Sequence, residues 1–549
     1  MNKNSKNSLL ALIIIATIGL GIEYTLNKNP NFQTTKNKAL NALHLYKVIN
    51  FDENQFQPKI SGLRVDKNNE SPSLIPLKPE NKYEKFSDEE LKQMVSRLFI
   101  TKYSELNEEC LPGGIILGVN QVRKGGIFKD YSNYAPEKAK KNLDKILEIY
   151  KNAGINPIIC DEGEGGFVFG MSDLPSAEEM TEYLLNYAVT EQDELLKEAF
   201  RKGRITDRFD KPDESFRYRK NQINLLEKTG LLKGIHESTK TKYIYFLEDP
   251  DNEYTMKRAL GNKFNLSLPF EEKLKQISEL YSTYFKELDN MGVDVIFGPV
   301  LDVFKKSSDN FMNQQDRSYH DSFTITRILA KLYIENAHKN NLLVTGKHYL
   351  TAGSVKGDIH NVVKPNEDNL IDRRASMETY IKFKKDLDLI MVTHTLHQNK
   401  NIPYVISEET IQSLTEIRFP LRYPYEKNNR LFSSETSKSR VNWGINYKGV
   451  VITDAINMKG LTNYIENEVK KGNLTKRGEI LFGPANSNVE KAAIAAIAAG
   501  NDLLIVAHSD LSNIVNAVVE VYKLNDSDFN MKLFDAFEQY NRLQTKLIK

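Results

Sequence analysis

Short apolar runs without polar alternation recur along the chain, and longer stretches with apolar residues three and four apart lie between several of them. The short runs are Gly114–Val119 (GIILGV), Pro157–Cys160 (PIIC), Val293–Phe297 (VDVIF), Leu342–Thr345 (LLVT), Leu389–Thr393 (LIMVT), Gly449–Thr453 (GVVIT) and Leu503–Ala507 (LLIVA). Runs this short and this uniformly apolar predict strands buried on both faces. The longer stretches Pro136–Asn152, Glu271–Met291 and Val489–Ala499 carry helical spacing. Strand and helix in repeated alternation predict an α/β protein, a parallel sheet with helical crossovers. Seven such units suit a (β/α)8-type TIM barrel with one strand weak or missing. A doubly wound open sheet is the alternative, but no Gly-rich dinucleotide fingerprint follows the first run.

Two connections are too long for simple loops, about Thr181–Pro269 and about Arg418–Trp443. They predict insertions on a barrel, the first with helices over Thr190–Arg201 and Asn221–Leu232; a separate inserted domain is the alternative reading of the first. At the other end, Lys3 and Lys6 precede Leu9–Ile22 (LLALIIIATIGLGI), and Glu23 closes the run. Positive residues before a short apolar segment predict a signal peptide or retained anchor over residues 1–26. Residues 27–85 are rich in Asn, Lys and Pro and read as a linker; the barrel is expected over 86–549, opening at Ser87-Asp88-Glu89-Glu90 with a helix.

Composition changes this picture little. Of 549 residues 40% are hydrophobic and 27% charged, ordinary values for a globular chain. Lys and Arg number 75 against 73 Asp and Glu, a net charge of +2 with no basic stripe, which argues against a nucleic-acid partner. Cys110 and Cys160 could pair in an oxidising compartment, but two cysteines make no disulfide framework.

The chemistry gathers at the carboxyl ends of the predicted strands, where parallel sheets hold their ligands. Asp161-Glu162-Gly163-Glu164-Gly165-Gly166 follows PIIC, Asp302 follows VDVIF, and Lys347-His348 ends the next unit, with Asp358-Ile359-His360 in its loop. His394 and Asp454 end the two after that. Asp454 alone could be a helix cap. Asp358-x-His360 alone could be a solvated pair, although a carboxylate beside an imidazole raises its basicity and lets it exchange protons. Together at one rim, they point to a site.

These motifs resemble glycoside hydrolase family 3, specifically its single-barrel β-N-acetylglucosaminidases. The likeness covers about Leu91–Val506 and runs through GGIILGVN (Gly113–Asn120), EGG (Glu164–Gly166), GVDVIFGPVLDV (Gly292–Val303), RSY (Arg317–Tyr319), GKH (Gly346–His348), VTHTL (Val392–Leu396), GVVITDAINMKG (Gly449–Gly460) and AAGNDLLIV (Ala498–Val506), in the family's order. The resemblance implies that Asp454 is the nucleophile and that His360, supported by Asp358, is the acid/base. It places Lys347, His348, Arg317 and Asp302 at positions that hold sugar hydroxyls or support the site, with His394 beside them and no cofactor or metal. Little chain follows the last predicted strand, so the proton donor is expected from the barrel's own loop. Three departures stand out. Tyr349-Leu350-Thr351-Ala352-Gly353 replaces the family's F-P-G-H-G, Phe167-Val168-Phe169-Gly170 stands where an Arg usually follows EGG, and the acidic residue before EGG is Glu162 by strict spacing or Asp161 with one insertion.

The reading is an exported retaining hydrolase of β-linked N-acetylhexosamine in glycans or peptidoglycan fragments. Its partner is carbohydrate, and it resides in the periplasm or cell envelope, with membrane attachment through the N-terminal run. One alternative is a catalytically degenerate barrel that binds glycan or a partner. The other is a metal-dependent hydrolase using His348, His360, His394 and Asp454.

Overall fold

In a computed structural model of the chain, the described residues are 86–102, 110–117, 136–164, 174–185, 191–203, 223–235, 260–265, 268–303, 312, 317–357, 360–361, 363–365, 370–396, 402–415, 431–432, 444–507 and 510–547. All lie in the unit Ser71–Lys549. The N-terminal run Leu9–Ile22, the linker to residue 85 and most of the Arg418–Trp443 insertion lie outside the described residues. No described helix is long and apolar enough to cross a membrane.

Eight parallel strands close in sequence order: β1 Phe99–Lys102, β2 Gly114–Leu117, β3 Ile158–Asp161, β4 Val295–Ile296, β5 Leu343–Tyr349, β6 Leu389–Val392, β7 Val450–Ala455 and β8 Leu503–Val506. The expected barrel is present and the missing strand is β1. It pairs with β2 on one side and β8 on the other and so closes the ring. Its four residues, FITK, follow the helix Asp88–Ser96 after two residues and end on a lysine, which hides them from a hydrophobicity reading. That helix opens with Ser87 and Glu90 capping each other's backbone N–H groups.

The long insertion after β3 includes helices Ala177–Leu185 and Glu191–Lys202. Leu196, Ala199, Ile223, Leu226, Leu232 and Ile235 form a small core there, distinct from the main one. Ala177, Met180, Tyr183 and Leu184 of the first of these helices belong instead to the main core. Cys110 and Cys160 are both free thiols.

Three aspartates tie neighbouring strands at the amino-terminal rim by one repeated device. Asp294, Asp388 and Asp502 each stand immediately before a strand, β4, β6 and β8. Each donates its backbone N–H to a carbonyl of the preceding strand and accepts the N–H of that same residue on its carboxylate. The partners are Ile159 at 2.8 and 2.8 Å, Val344 at 3.1 and 3.2 Å, and Val451 at 2.8 and 2.7 Å. Before β2 the equivalent position is Gly113, where a Cβ would lie 1.9 Å from the Arg97 carbonyl oxygen, so no side chain fits. The first pair of strands lacks the device for that steric reason.

Behind the end of β3, Tyr281, Phe285 and Tyr333 pack ring against ring. Tyr333 donates its hydroxyl to the Gly163 carbonyl at 2.9 Å. Gly163 takes a φ of 59°, a left-handed turn that glycine adopts without cost and that swings the following glutamate towards the barrel mouth.

Candidate active site

Lys347 and Arg317 organise one half of the carboxyl-terminal rim. Lys347, 2% exposed, is ion-paired to Glu162 at 3.0 Å and to Glu164. Arg317 grips both oxygens of Glu164 at 2.7 Å in a bidentate pair. Burial pushes the Glu164 carboxyl up, but Arg317 and Lys347 outweigh it and hold the group down at about 2. Burial likewise opposes the charge on Lys347, and Glu162 and Glu164 keep its ammonium above the ordinary range. Glu162 is 21% exposed where Lys347 and Glu164 are at 2%, so Glu162 is the member open to a ligand.

The structure places the two acidic residues before the glycines on different sides. Successive side chains of a strand point to opposite sides. Asp161, the last residue of β3, is fully buried and accepts the Tyr284 hydroxyl at 3.3 Å, facing the helix Phe270–Met291. Glu162 turns to Lys347. The two carboxylates thus face different partners, Asp161 towards Tyr284 and Glu162 towards Lys347.

A second group surrounds Asp454. His348 donates from Nδ1 to Asp302 at 2.6 Å, and its Nε2 faces Asp454 Oδ2 at 4.0 Å. Asp302 also accepts the backbone N–H of His348 at 3.2 Å and of Ala352 at 2.5 Å. The altered loop Tyr349–Gly353 is thus pinned to the site by Asp302. Both Lys347 and His348 reach site carboxylates although they are neighbours on β5, because the register against β6 shifts between Lys347 and Tyr349. Asp454 Oδ1 accepts the Ala455 N–H at 2.8 Å, leaving Oδ2 towards His348. Asp454 is 14% exposed, against 3% for His348 and 0% for Asp302, so it is the most exposed of the three. Burial raises its carboxyl, while His394, His348 and His360 pull it down to about 2, and it is ionised at neutral pH.

His360 sits on the loop after β5, and its carbonyl accepts the Gly460 N–H at 3.0 Å from the first turn of the helix Lys459–Lys470. This bond holds the His360 loop against the segment that follows Asp454. Asp358 lies outside the described residues, as do Gly165, Gly166 and Phe167–Gly170. His394, at the end of β6, is 1% exposed and bonds through Nε2 to the Ala455 carbonyl at 2.9 Å. Among the described residues no three His, Cys, Asp or Glu groups converge as metal ligands do.

Glu164 joins Arg317 and Lys347, a role that its place in the EGG motif does not by itself give it. The available signal was the motif EGG itself. A buried glutamate with no nearby cation in sequence needs one in space, and Arg317 lies 153 residues away.

The sequence profile of the glycosyl hydrolase family 3 N-terminal domain matches residues 256–538, just over half of the 549-residue chain. The chain belongs to glycoside hydrolase family 3. It is 28% identical over 170 residues to a beta-hexosaminidase of Idiomarina loihiensis, covering 30% of this chain and 48% of that one. To a beta-hexosaminidase of Psychromonas ingrahamii it is 26% identical over 185 residues, covering 34% and 47%. The match thus spans about half the length of these curated relatives. Among solved structures, a fungal multi-domain family 3 beta-N-acetylglucosaminidase superposes with a TM-score of 0.50 at 15% identity, over 83% of this chain and 40% of that one. That likeness concerns the fold, and it agrees with the closed eight-stranded family 3 barrel.

Proposed function

We propose that this family 3 protein is a retaining glycosidase of the β-N-acetylhexosaminidase type. The observation that carries the reading is the setting of Asp454. It is an ionised carboxylate, one oxygen fixed by a backbone N–H and the other open, at the end of a barrel strand with His360 on the loop held against it. The beta-hexosaminidase relatives favour an N-acetylhexosamine substrate.

In the first step an Asp454 oxygen forms a bond to the anomeric carbon while the glycosidic C–O bond breaks, and His360 gives its proton to the leaving oxygen. In the second step His360 takes a proton from water, the water oxygen attacks the anomeric carbon, and Asp454 leaves as carboxylate. Asp358, next to His360 but one in sequence, tunes that imidazole. Glu162 accepts hydrogen bonds from sugar hydroxyls, and Lys347 holds Glu162 in place. No metal or organic cofactor enters either step.

Turnover of a panel of aryl β-glycosides tests this: N-acetylglucosaminide, N-acetylgalactosaminide, glucoside and xyloside. The expected result is a preference for the N-acetylated sugars, and His360→Ala losing much more rate on a natural disaccharide than on a dinitrophenyl glycoside. Equal losses on both would remove His360 as proton donor, and no turnover on any glycoside would favour a glycan-binding barrel. Export through the Leu9–Ile22 run belongs to the same reading. Cell fractionation with sequencing of the mature N-terminus checks it, and an intact chain found only in the cytosol would overturn it.

A further inference from the structure

The strand that carries Asp454 as its penultimate residue breaks its regular pairing around it. β7 meets β8 through Ile452 and Leu503, then again through Ala455 and Ile505, with a register shift between. A shift of this kind leaves backbone groups without ladder partners, and a buried carbonyl needs another donor. Side chains take over. Thr453 Oγ1 accepts the Ile505 N–H at 3.1 Å, and Asn457 Oδ1 accepts the Ala507 N–H at 2.9 Å. Both links run from the Asp454 segment to β8. On the opposite side, His394, two residues beyond β6, places its Nε2 2.9 Å from the Ala455 carbonyl oxygen.

A carbonyl only accepts, so a neutral His394 must carry its proton on Nε2. Burial lowers the pKa of this imidazole and favours the neutral ring. Its Nδ1 is enclosed and, among the described residues, has no hydrogen-bond partner. Ala455 therefore sits between two groups: its N–H holds Asp454 Oδ1 at 2.8 Å, and its carbonyl is held by His394. Turning Ala455 would turn the carboxylate.

We propose that His394 is a positioning residue for Asp454, anchoring the Ala455 carbonyl through an Nε2–H tautomer and so fixing the direction of the attacking carboxylate without touching the sugar. The proposal rests on Asp454 being the nucleophile.

Two variants separate positioning from mere packing. His394→Gln keeps an N–H donor at a reach close to that of Nε2, and His394→Leu keeps bulk without a donor. Active sites are counted with a slow fluoro-sugar inactivator, so that unfolded protein does not enter the rate. Per titrated site, His394→Leu should lose roughly tenfold to a hundredfold in kcat, the scale expected for a small misplacement of a reacting group. KM should stay within about twofold, and His394→Gln should recover most of the loss. A full per-site rate in the Leu variant, or a Gln variant no better than Leu, overturns the proposal. A loss confined to the number of titratable sites overturns it as well. Imidazole ¹⁵N spectra, with the His394→Gln protein identifying the signal, should place the proton on Nε2; a proton on Nδ1 overturns it without reference to activity. Turnover abolished by Asp454→Asn but untouched by His394→Leu would sink this proposal alone, whereas a wild type that turns over no glycoside sinks the reading beneath it.

Discussion

Burial pushes the carboxyls of Asp454 and Glu164 at one rim of the barrel upwards, and does the same to Asp294 and Asp502 at the other. What opposes burial differs. At the carboxyl-terminal rim imidazoles, Arg317 and Lys347 surround the carboxylates, and Asp454 and Glu164 end at about 2. At the amino-terminal rim a backbone N–H from the neighbouring strand is the main counterweight, joined at Asp502 by Arg542 but set against Asp535. There Asp294 is pushed up to about 6 and Asp502 to about 8. Asp388 serves as an internal control. It makes the same backbone pair as the other two, yet His338 and Lys546 also bind it, and its carboxyl lies below its ordinary value against the effect of burial. Burial alone does not set the charge of a barrel carboxylate; the cation beside it does. One rim keeps its carboxylates ionised for chemistry; at the other, Asp502 holds its proton at neutral pH as a strand tie, while Asp294 gives its proton up near 6.

The comparison breaks most visibly at Asp454. Asp454→Asn should lower kcat by at least about a thousandfold on an activated glycoside, because an amide cannot form the glycosyl ester. The fold should survive, since the Ala455 N–H can still be accepted by the amide oxygen, with a modest loss of melting temperature because the stability carried by the lowered Asp454 pKa at neutral pH goes with the charge. Retained turnover would place the nucleophile elsewhere.

Next in size is Glu164→Gln. It leaves Lys347 and Arg317 buried with one carboxylate removed, a change of about 3–5 kcal/mol in such pairs. Chemical denaturation at neutral pH should register a loss of that order, and a near-neutral variant would show that the pairs contribute nothing net.

Asp502→Asn sharpens the contrast through pH. The folded-state pKa of Asp502 is raised above the unfolded value, so its contribution is complete below the unfolded pKa and is lost as pH rises through the folded one. Between about 4 and about 8 the folded state holds a proton that the unfolded state has released, a slope of about 1.4 kcal/mol per pH unit at most. Asp502→Asn should remove that decline from the stability-versus-pH curve while keeping an oxygen for the Val451 N–H. Asp454 and Glu164 carry the opposite sign: their lowered values contribute stability above about pH 4 that is lost as pH falls towards 2. An unchanged slope in Asp502→Asn would refute the protonated tie.

The smallest effect belongs to His338→Ala. The imidazole is partly solvent-exposed, and an exposed pair is worth no more than about 1 kcal/mol. The Asp388 carboxyl should nevertheless move up, towards the behaviour of Asp294, in a ¹³C titration. A fixed Asp388 would show that Lys546 is the counter-charge that matters.

The strand runs and crossover helices were legible because a strand buried on both faces must be apolar throughout, and seven such runs survive in the chain. β1 was not, since FITK is short and polar at its end and becomes a strand only by lying between β2 and β8. In the same way Asp302, Lys347, His348 and Asp454 could be named from strand ends and motif order. Spacing could not choose between Asp161 and Glu162, because the choice depends on which side of β3 each faces and on where Lys347 and Tyr284 lie. Glu164 shows the limit most clearly, its cation being remote in sequence.

Local patterning thus determined the class of fold, the rim at which chemistry gathers and most of the residues that gather there, because periodicity and strand-end position are properties of short segments. Tertiary structure alone decided which of those residues touch: Glu164 with Arg317, His348 with Asp302 and Asp454, and His394 with the Ala455 carbonyl. It also decided charge. Asp294, Asp388 and Asp502 occupy equivalent places before their strands, and only the side chains brought beside them from distant segments make one ionised and leave the others raised, since a pKa responds to the field at a point in space and not to position along the chain.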